Sequence, residues 1–329
     1  MFNKKLISKV TLLSLGSLVA GLNTKKAPNF GLFENGLSED SMSKPFLVHV
    51  NSLAEFNITQ NLFPSQGPIH VYVNAGATNQ SVFLEGFIEG WGYTPVPLTT
   101  SESQIRPEIK PGEALVEGNT EKFWDQGTSY SRRDIVQMGC NKNGTDCITE
   151  QWRHNTGDIY NVFEGTYHPV NNGHVHAGGA HLDHSLVDGY TIPMIVIPDS
   201  DTCGAMGCTE DPAGAMCPAD HKIAIGQDPT YTGCASDCKL HDTDEACCRG
   251  VHNVNTCKAS SKHFSNYCTG SYAYAYDDRK GLRFCAKTPE VIYHLFDVQP
   301  DCEWAATDPK TQRPSAEAKE CLKDLIGGL

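Results

Sequence analysis

The 329-residue sequence is poor in basic side chains, with 26 Lys and Arg against 39 Asp and Glu, and its formal net charge is −13. Proteins that bind nucleic acids neutralise phosphates with clustered Lys and Arg, so this deficit argues against a nucleic-acid partner. After the N-terminal segment the chain also lacks any apolar run of about 18 residues, which excludes a membrane-spanning helix there. Charged residues make up 20% and hydrophobic residues 39% of the chain. That composition excludes a disordered or collagen-like protein and indicates a globular one.

Cysteine, in contrast, is abundant. Fourteen cysteines are too many for a reduced cytosolic chain of this length and indicate an oxidising compartment. At the N-terminus, Lys4 and Lys5 precede an apolar run from Thr11 to Leu22, which is typical of a signal peptide over residues 1–21. An uncleaved interfacial helix is the alternative, because Lys9 interrupts the pattern. We therefore predict a secreted, extracellular protein. Its candidate N-glycosylation sites are the sequons at Asn57, Asn79 and Asn143.

Short strand-like runs dominate the chain from Phe46 onward. These runs alternate apolar and polar residues or stay apolar, and Gly and Pro interrupt them at short intervals. Helical periodicity is rare before residue 200. The pattern predicts a β-sandwich or a barrel. The predicted strand runs are Phe46–Val50, Ile69–Val73, Ser81–Ile88, Ala114–Val116, Ile192–Ile197, Leu282–Cys285 and Val291–Phe296.

The composition changes at residue 201. Ten of the fourteen cysteines lie from Cys203 to Cys285, in a segment with few aliphatic residues. Such a segment cannot build a large core, so we expect disulfides to hold it together. The predicted organisation is a signal peptide over 1–21, a flexible leader over 22–45, a domain over 46–298 and a C-terminal extension over 299–329. Within the domain, we predict a β-core of 46–200 and 271–298 that carries a disulfide-rich lobe of 201–270.

Three strings of residues carry a family resemblance. Residues 185–194 read Ser-Leu-Val-Asp-Gly-Tyr-Thr-Ile-Pro-Met, and residues 271–278 read Ser-Tyr-Ala-Tyr-Ala-Tyr-Asp-Asp. Between them, residues 247–268 contain Cys-Cys-Arg-Gly, a further Cys, His-Phe-Ser and a last Cys. Together with the cysteine spacing, these strings resemble the thaumatin-like proteins, the osmotin or pathogenesis-related group 5 family. The resemblance is strong over 183–296 and weak over 45–180. It implies a mainly β fold, a thaumatin-like β-sandwich with a disulfide-rich second lobe.

The resemblance also implies a disulfide pattern. Family members usually have sixteen cysteines, and two family bridges are absent here, because Ile159 stands where one cysteine is expected and Asp297 follows Phe296 at the last strand. Cys302 and Cys321 have no counterpart and are expected to pair within the extension. The other implied pairs are Cys140–Cys147, Cys203–Cys285, Cys208–Cys268, Cys217–Cys234, Cys238–Cys247 and Cys248–Cys257.

In this family, an acidic cleft between the β-core and the lobe is credited with binding β-1,3-glucan. Four acids of this chain match the motifs of that cleft: Glu164, Asp183, Asp188 and Asp277, the last being the first acid of the Tyr-Asp-Asp string. The basic residue of the set is normally Arg. Lys122 stands in its place, which keeps the charge but loses the planar fork of a guanidinium.

Hydrolysis of a glycosidic bond needs two carboxyls, one protonated as general acid and the other acting as base or nucleophile. We predict Glu164 as the acid and Asp183 as the base or nucleophile, with Lys122, Asp188 and Asp277 binding substrate. In the alternative interpretation these acids are ordinary turn and surface residues, and Asp188 belongs to an Asp-Gly turn. Aromatic residues offer candidates for stacking on sugar rings, although such residues more often belong to a core. They are Trp91, Trp124 and Tyr272 to Tyr276.

Histidines are crowded between residues 168 and 184, and residues 174–176 are predicted to direct two imidazoles to one face of a strand. A divalent metal site and a solvated His-rich loop are both consistent with this run. Because no standard zinc spacing is present, we predict no metal and no cofactor. The histidines are His168, His174, His176, His181 and His184.

The function implied by the resemblance is binding of β-1,3-glucan or another cell-wall polysaccharide, with weak endo-β-1,3-glucanase activity. We expect a monomer without stable membrane insertion. A non-catalytic antimicrobial protein is one alternative, and glucan binding that survives removal of Glu164 and Asp183 would favour it. A protein-binding module, such as an enzyme inhibitor acting through loops of the lobe, is the other. That module would bind a partner protein and ignore soluble glucan.

Overall fold

The computed structural model of this chain describes residues 47–50, 68–76, 82–91, 102–105, 109–117, 129–138, 159–170, 173–200, 202–224, 232–268 and 270–298. The predicted signal peptide, leader and C-terminal extension lie outside these ranges. So do further residues that the sequence singled out: Asn57, Asn79, Lys122, Trp124, Cys140, Asn143, Cys147, Cys302 and Cys321. Among the described residues, no helix has the length and apolar character needed to cross a membrane.

The described chain is mainly β, with two six-stranded sheets, one two-stranded ribbon and three short helices. Each predicted strand run overlaps an observed strand. The strands are β1 Leu47–Val50, β2 Ile69–Asn74, β3 Val82–Trp91, β4 Glu102–Ile105, β5 Ala114–Glu117, β6 Ser129–Met138, β7 Asn161–Tyr167, β8 Ala180–Ser185, β9 Met194–Pro198, β10 Met206–Cys208, β11 Lys222–Ala224, β12 Thr232–Cys234, β13 Leu282–Cys285 and β14 Val291–Phe296. The helices are α1 Asp237–His241, α2 Lys262–Tyr267 and α3 Asp278–Gly281.

The first sheet has the strand order β1-β5-β2-β14-β9-β10, in which β2 and β14 are parallel and the other neighbours antiparallel. The second sheet has the order β13-β8-β7-β6-β3-β4 and is antiparallel throughout. Strands β11 and β12 form the ribbon. In the second sheet, the register places Arg133 of β6 opposite Glu164 of β7, and Glu164 opposite Asp183 of β8.

The main core draws on both six-stranded sheets. Because side chains alternate along a strand, Phe163 and Leu182 are buried in this core while their neighbours Glu164 and Asp183 lie on the opposite face of the second sheet. Tyr72 and Phe296 are among the contributions of the first sheet. This arrangement confirms the predicted thaumatin-like β fold.

A polar network is enclosed in this core. Arg132 of β6 donates from Nε to Asp134 Oδ2 at 2.7 Å, and its Nη2 bonds both to Glu117 and to the Tyr72 hydroxyl. Tyr72 in turn donates to Asp134 Oδ2 at 2.9 Å. The side chains of Arg132, Glu117 and Asp134 are at most 3% exposed. The two carboxylates outweigh the effect of burial, which by itself lowers the pKa, and raise the pKa of Arg132 above its usual range.

The segment 201–270, called the disulfide-rich lobe below, contributes to a smaller core that includes Met216 and Phe264. Disulfides supply much of its cohesion, since its strands and helices are only three to six residues long. Five bridges lie among the described residues, and they join cysteines that the resemblance paired. They are Cys203–Cys285, Cys208–Cys268, Cys217–Cys234, Cys238–Cys247 and Cys248–Cys257.

Candidate functional site

A charged row crosses three strands on the outer face of the second sheet. Arg133, Glu164 and Asp183 are directly opposite one another on β6, β7 and β8. Side chains in such positions have Cβ atoms about 4.5–5.5 Å apart, so neighbouring charged groups interact. Arg133 Nε lies 3.6 Å from Glu164 Oε1, and both side chains are about half exposed. The row therefore offers charged groups to a ligand on this face.

Asp188 joins the row from the turn that follows β8. Its Oδ2 accepts a hydrogen bond of 3.1 Å from Arg133 Nη2, so one guanidinium links Asp188 with Glu164. The next residue, Gly189, has φ +111° and closes the turn by donating to the Leu186 carbonyl. A Cβ at this position would lie 2.6 Å from Cβ of Ile159. The Asp-Gly turn is thus real, and it also presents Asp188 to the site.

The segment around Tyr272 closes the other side of the row. The backbone of Tyr272 exchanges hydrogen bonds with His184 and Leu186 at the end of β8. Its hydroxyl donates to Asp278 Oδ1 at 2.8 Å. Burial and this hydrogen bond raise the pKa of Tyr272. A neutral phenol is consequently fixed beside the acids, with an aromatic face suited to a sugar ring.

Asp183 is the carboxyl with the most perturbed titration. Burial is the main cause that raises its pKa well above the usual range, and the charges of Glu164 and Asp278 add to the shift. Arg133 opposes it. One oxygen of Asp183, Oδ1, is enclosed and has no hydrogen-bond partner. These observations favour a protonated Asp183, which reverses the roles that the sequence suggested for Asp183 and Glu164.

The two acids of the Tyr-Asp-Asp string have different surroundings. Asp277 is buried, its Oδ2 accepts from the Ala273 amide at 3.4 Å, and burial raises its pKa. Asp278, the first residue of α3, is the one whose charge acts on Asp183. The structure therefore brings Glu164, Asp183 and Asp188 together, and it adds Asp278 to this group. Asp277 instead contacts the backbone of its own segment.

Sequence reasoning missed Arg133 and Asp278. The signal for Asp278 was present, because it is the second acid of the same string. Arg133 carried no local signal, since its role depends on the register between β6 and β7.

The crowded histidines divide into two environments. Four imidazoles form a cluster beside β7 and β8, with ring centroids 4.2 Å apart for His168 and His174 and 4.9 Å apart for His176 and His181. Burial and the neighbouring imidazoles lower the pKa of His168 to about 4. His184 lies elsewhere, with its Nδ1 2.7 Å from Ser271 Oγ, and burial lowers its pKa to about 3. Residues 175–178 form turns, so the predicted strand face for His174 and His176 is wrong.

Fold and site together define a disulfide-bonded β-sandwich protein with an acidic surface site. A sequence model of the Thaumatin family matches residues 94–295, which is more than half of the chain. The chain therefore belongs to the Thaumatin family.

Individual relatives match shorter parts. Pathogenesis-related thaumatin-like protein 3.7 of Cryptomeria japonica is 40% identical over 105 residues, 31% of this chain and 42% of the relative. A Prunus avium protein named glucan endo-1,3-beta-glucosidase is 36% identical over 120 residues, 34% of this chain and 48% of the relative. The chain thus spans less than half the length of these curated relatives. Among solved structures, a laminaripentaose-producing β-1,3-glucanase in complex with laminaritetraose matches 71% of this chain and 99% of its own, with a TM-score of 0.40 and 9% identity.

Proposed function

We propose that this protein binds β-1,3-glucan across the charged row of the second sheet and slowly hydrolyses internal bonds of the glucan. The observation that carries the proposal is the pairing of Glu164 with Asp183. The two carboxyls stand opposite each other on adjacent strands, and the surroundings of Asp183 raise its pKa well above the usual range. Glycosidases use a pair of carboxyls, one of which has a raised pKa and serves as the general acid.

Each member of the site has a role in this mechanism. Asp183 donates its proton to the glycosidic oxygen as the general acid, and the half-exposed Glu164 either activates a water molecule as the base or attacks the sugar as the nucleophile. Arg133 holds Glu164 and Asp188 in place and donates hydrogen bonds to ligand oxygens. The ring of Tyr272 offers an apolar surface to a pyranose face.

The family relationship supports the choice of glucan. A relative from Prunus avium bears the name glucan endo-1,3-beta-glucosidase, and the part of this chain that matches it covers 48% of that protein. The setting that we propose is extracellular, with the protein acting as a monomer on cell walls. Five disulfides among the described residues fit an oxidising compartment.

The test uses the mature, oxidised protein with a soluble linear β-1,3-glucan, and it measures both binding and new reducing ends. Glu164→Gln and Asp183→Asn should keep binding within a few fold and abolish the release of reducing ends. The matched control is Glu290→Gln, since Glu290 is 84% exposed and contacts Lys287 away from the row. It should behave as the unmodified protein.

Other results would change the assignment. Binding without any release of reducing ends would remove the catalytic part and leave a glucan-binding module. The absence of both binding and release would overturn the glucan proposal. The search should then turn to a protein partner that contacts the loops of the lobe.

A further inference from the structure

A second group of convergent polar side chains lies in the disulfide-rich lobe and shares no residue with the charged row. We propose that His221, Asp237 and His241 bind a divalent transition-metal ion such as Zn²⁺. Each of the three offers one ligand atom, and these atoms all lie within 4.8 Å of one another. The proposal concerns a site that glucan binding does not use.

Helix α1 supplies two of the ligands. Asp237 and His241 are its first and last residues, four positions apart, so a carboxylate and an imidazole lie on one face of the helix. His221 comes from the residue before β11, and its backbone carbonyl accepts a hydrogen bond of 2.9 Å from the Ala235 amide. That bond keeps His221 beside the start of α1. Two segments distant in sequence therefore meet at one point.

The distances suit a small divalent cation. His221 Nε2 and Asp237 Oδ1 are 2.8 Å apart, and the rings of His221 and His241 have centroids 6.2 Å apart and nearly perpendicular planes. Zinc binds nitrogen and oxygen at about 2.0–2.2 Å in a tetrahedral array, which spaces neighbouring ligand atoms by roughly 3.3–3.5 Å. To complete three ligands, the exposed His241 side chain would move to this spacing, and His221 Nε2 and Asp237 Oδ1 would separate slightly. The fourth position remains for water.

The outer contacts of these side chains are those that a metal site requires. Nδ1 of His221 lies 3.0 Å from Asp220 Oδ1, so a carboxylate orients the ring and leaves Nε2 facing the site. Asp237 Oδ2 accepts the backbone N–H of Ser261, which fixes the carboxylate and leaves Oδ1 for the ion. Carboxylate–histidine–metal arrangements of this kind orient ligands in known zinc sites. Binding of the ion would replace the hydrogen bond between Nε2 and Oδ1 and release its proton.

Disulfides make the scaffold rigid before any ion binds. Cys238 of α1 is bonded to Cys247, and Cys217, four residues before His221, is bonded to Cys234. Ordering of the ligands therefore costs little on binding, which favours measurable affinity. The ion would in turn join α1 to the segment before β11.

The test is a zinc titration of the mature, oxidised protein after treatment with a chelator, followed by calorimetry. We expect one zinc ion per chain, and His241→Gln should weaken its binding more than tenfold. Asp220→Asn should weaken it about tenfold through the orientation of His221. His241 is exposed, so its replacement leaves the fold intact. Addition of Co²⁺ should give the visible absorption of a four-coordinate site in the unmodified protein and lose it in His241→Gln.

The matched control is the double variant His174→Gln/His176→Gln, which removes two imidazoles of the other histidine cluster. It should bind zinc as the unmodified protein does. Zinc affinity that is unchanged in His241→Gln, or that is lost only in the double variant, would overturn the proposal. Absence of zinc binding by the unmodified protein would overturn it as well. None of these results depends on glucan.

Discussion

Arg132 and Arg133 are consecutive residues of β6 and face opposite sides of one sheet. Each of them pairs with two carboxylates. Arg132 faces the core, is 3% exposed, and pairs with Glu117 and Asp134. Arg133 faces outward, is 44% exposed, and pairs with Glu164 and Asp188. The residue types are the same in both groups. Their main difference is burial: the inner group is enclosed in the core, and the outer group is open to solvent.

The difference between the two groups of charges follows from their access to water. Inside the sandwich, the charges have lost their hydration, and the ion pairs and the Tyr72 hydroxyl replace part of it. On the outer face, water and ligands compete for the same groups, and a surface ion pair contributes little to folding. The outer acids and arginine are consequently available for binding.

Arg132→Met should give the largest effect, because it removes a guanidinium that pairs with the buried Glu117 and Asp134. Removal of one partner from a buried ion pair typically destabilises a protein by about 3–5 kcal/mol. Chemical denaturation should show this loss in the free energy of unfolding. The adjacent Arg133→Met is the matched control for stability. Equal losses in the two variants would refute the proposed role of burial.

Tyr72→Phe should have a smaller effect in the same network. The change removes one hydroxyl that bonds to Arg132 and Asp134 while keeping the ring that packs beside Phe296. An unsatisfied buried polar group costs roughly 1–3 kcal/mol. Thermal and chemical unfolding should both show a loss between those of Arg132→Met and Arg133→Met. A neutral outcome would mean that water fills the position of the hydroxyl.

The sequence predicts the strands that are rich in Val, Ile and aromatic residues better than those that carry the site. Strands β2 and β14 were predicted from runs of Val, Ile and aromatic residues. Strand β6 was not predicted, because Arg132 and Asp134 stand at inward positions where the pattern requires apolar residues. Because these residues of the polar network interrupt the apolar pattern, the sequence does not indicate the strand that also carries Arg133.

The family strings located the acids on the chain but not their partners. Glu164 and Asp183 were found in motifs, and the register of β7 and β8 brings them together. The raised pKa of Asp183 depends on burial and on the charges of Glu164 and Asp278, with Arg133 opposing it, and no local pattern contains these causes. The choice between Asp277 and Asp278 depended on where α3 begins. Register and burial are long-range properties, so a local sequence pattern does not determine them.

Asp183→Asn tests an acid of the outer row that, unlike Asp134, is only partly buried but has one enclosed carboxyl oxygen. Its raised pKa means that the folded protein retains a proton that the unfolded chain releases near pH 4. Stability of the unmodified protein is therefore lost as pH rises from about 4 toward the folded pKa. Asn resembles the neutral acid and does not titrate.

The variant should accordingly be more stable than the unmodified protein at neutral pH, with a difference that disappears near pH 4. Melting temperatures measured from pH 4 to pH 8 give the comparison. A variant that is less stable at every pH would show that Asp183 is ionised in the folded protein. Glu290→Gln again serves as control, and its melting temperature should follow that of the unmodified protein throughout.

Arg133→Met should have the smallest effect on folding and a clear effect on function. Its two ion pairs are half exposed, so their loss should cost less than about 1 kcal/mol, and added salt should reduce the cost further. Glucan binding should fall by about tenfold, because a hydrogen bond from a charged group contributes roughly 1.5–3 kcal/mol. Unfolding at low and high salt, together with glucan binding, measures both quantities on one variant. A large loss of stability with unchanged glucan binding would show that the outer arginine, like the inner one, is structural.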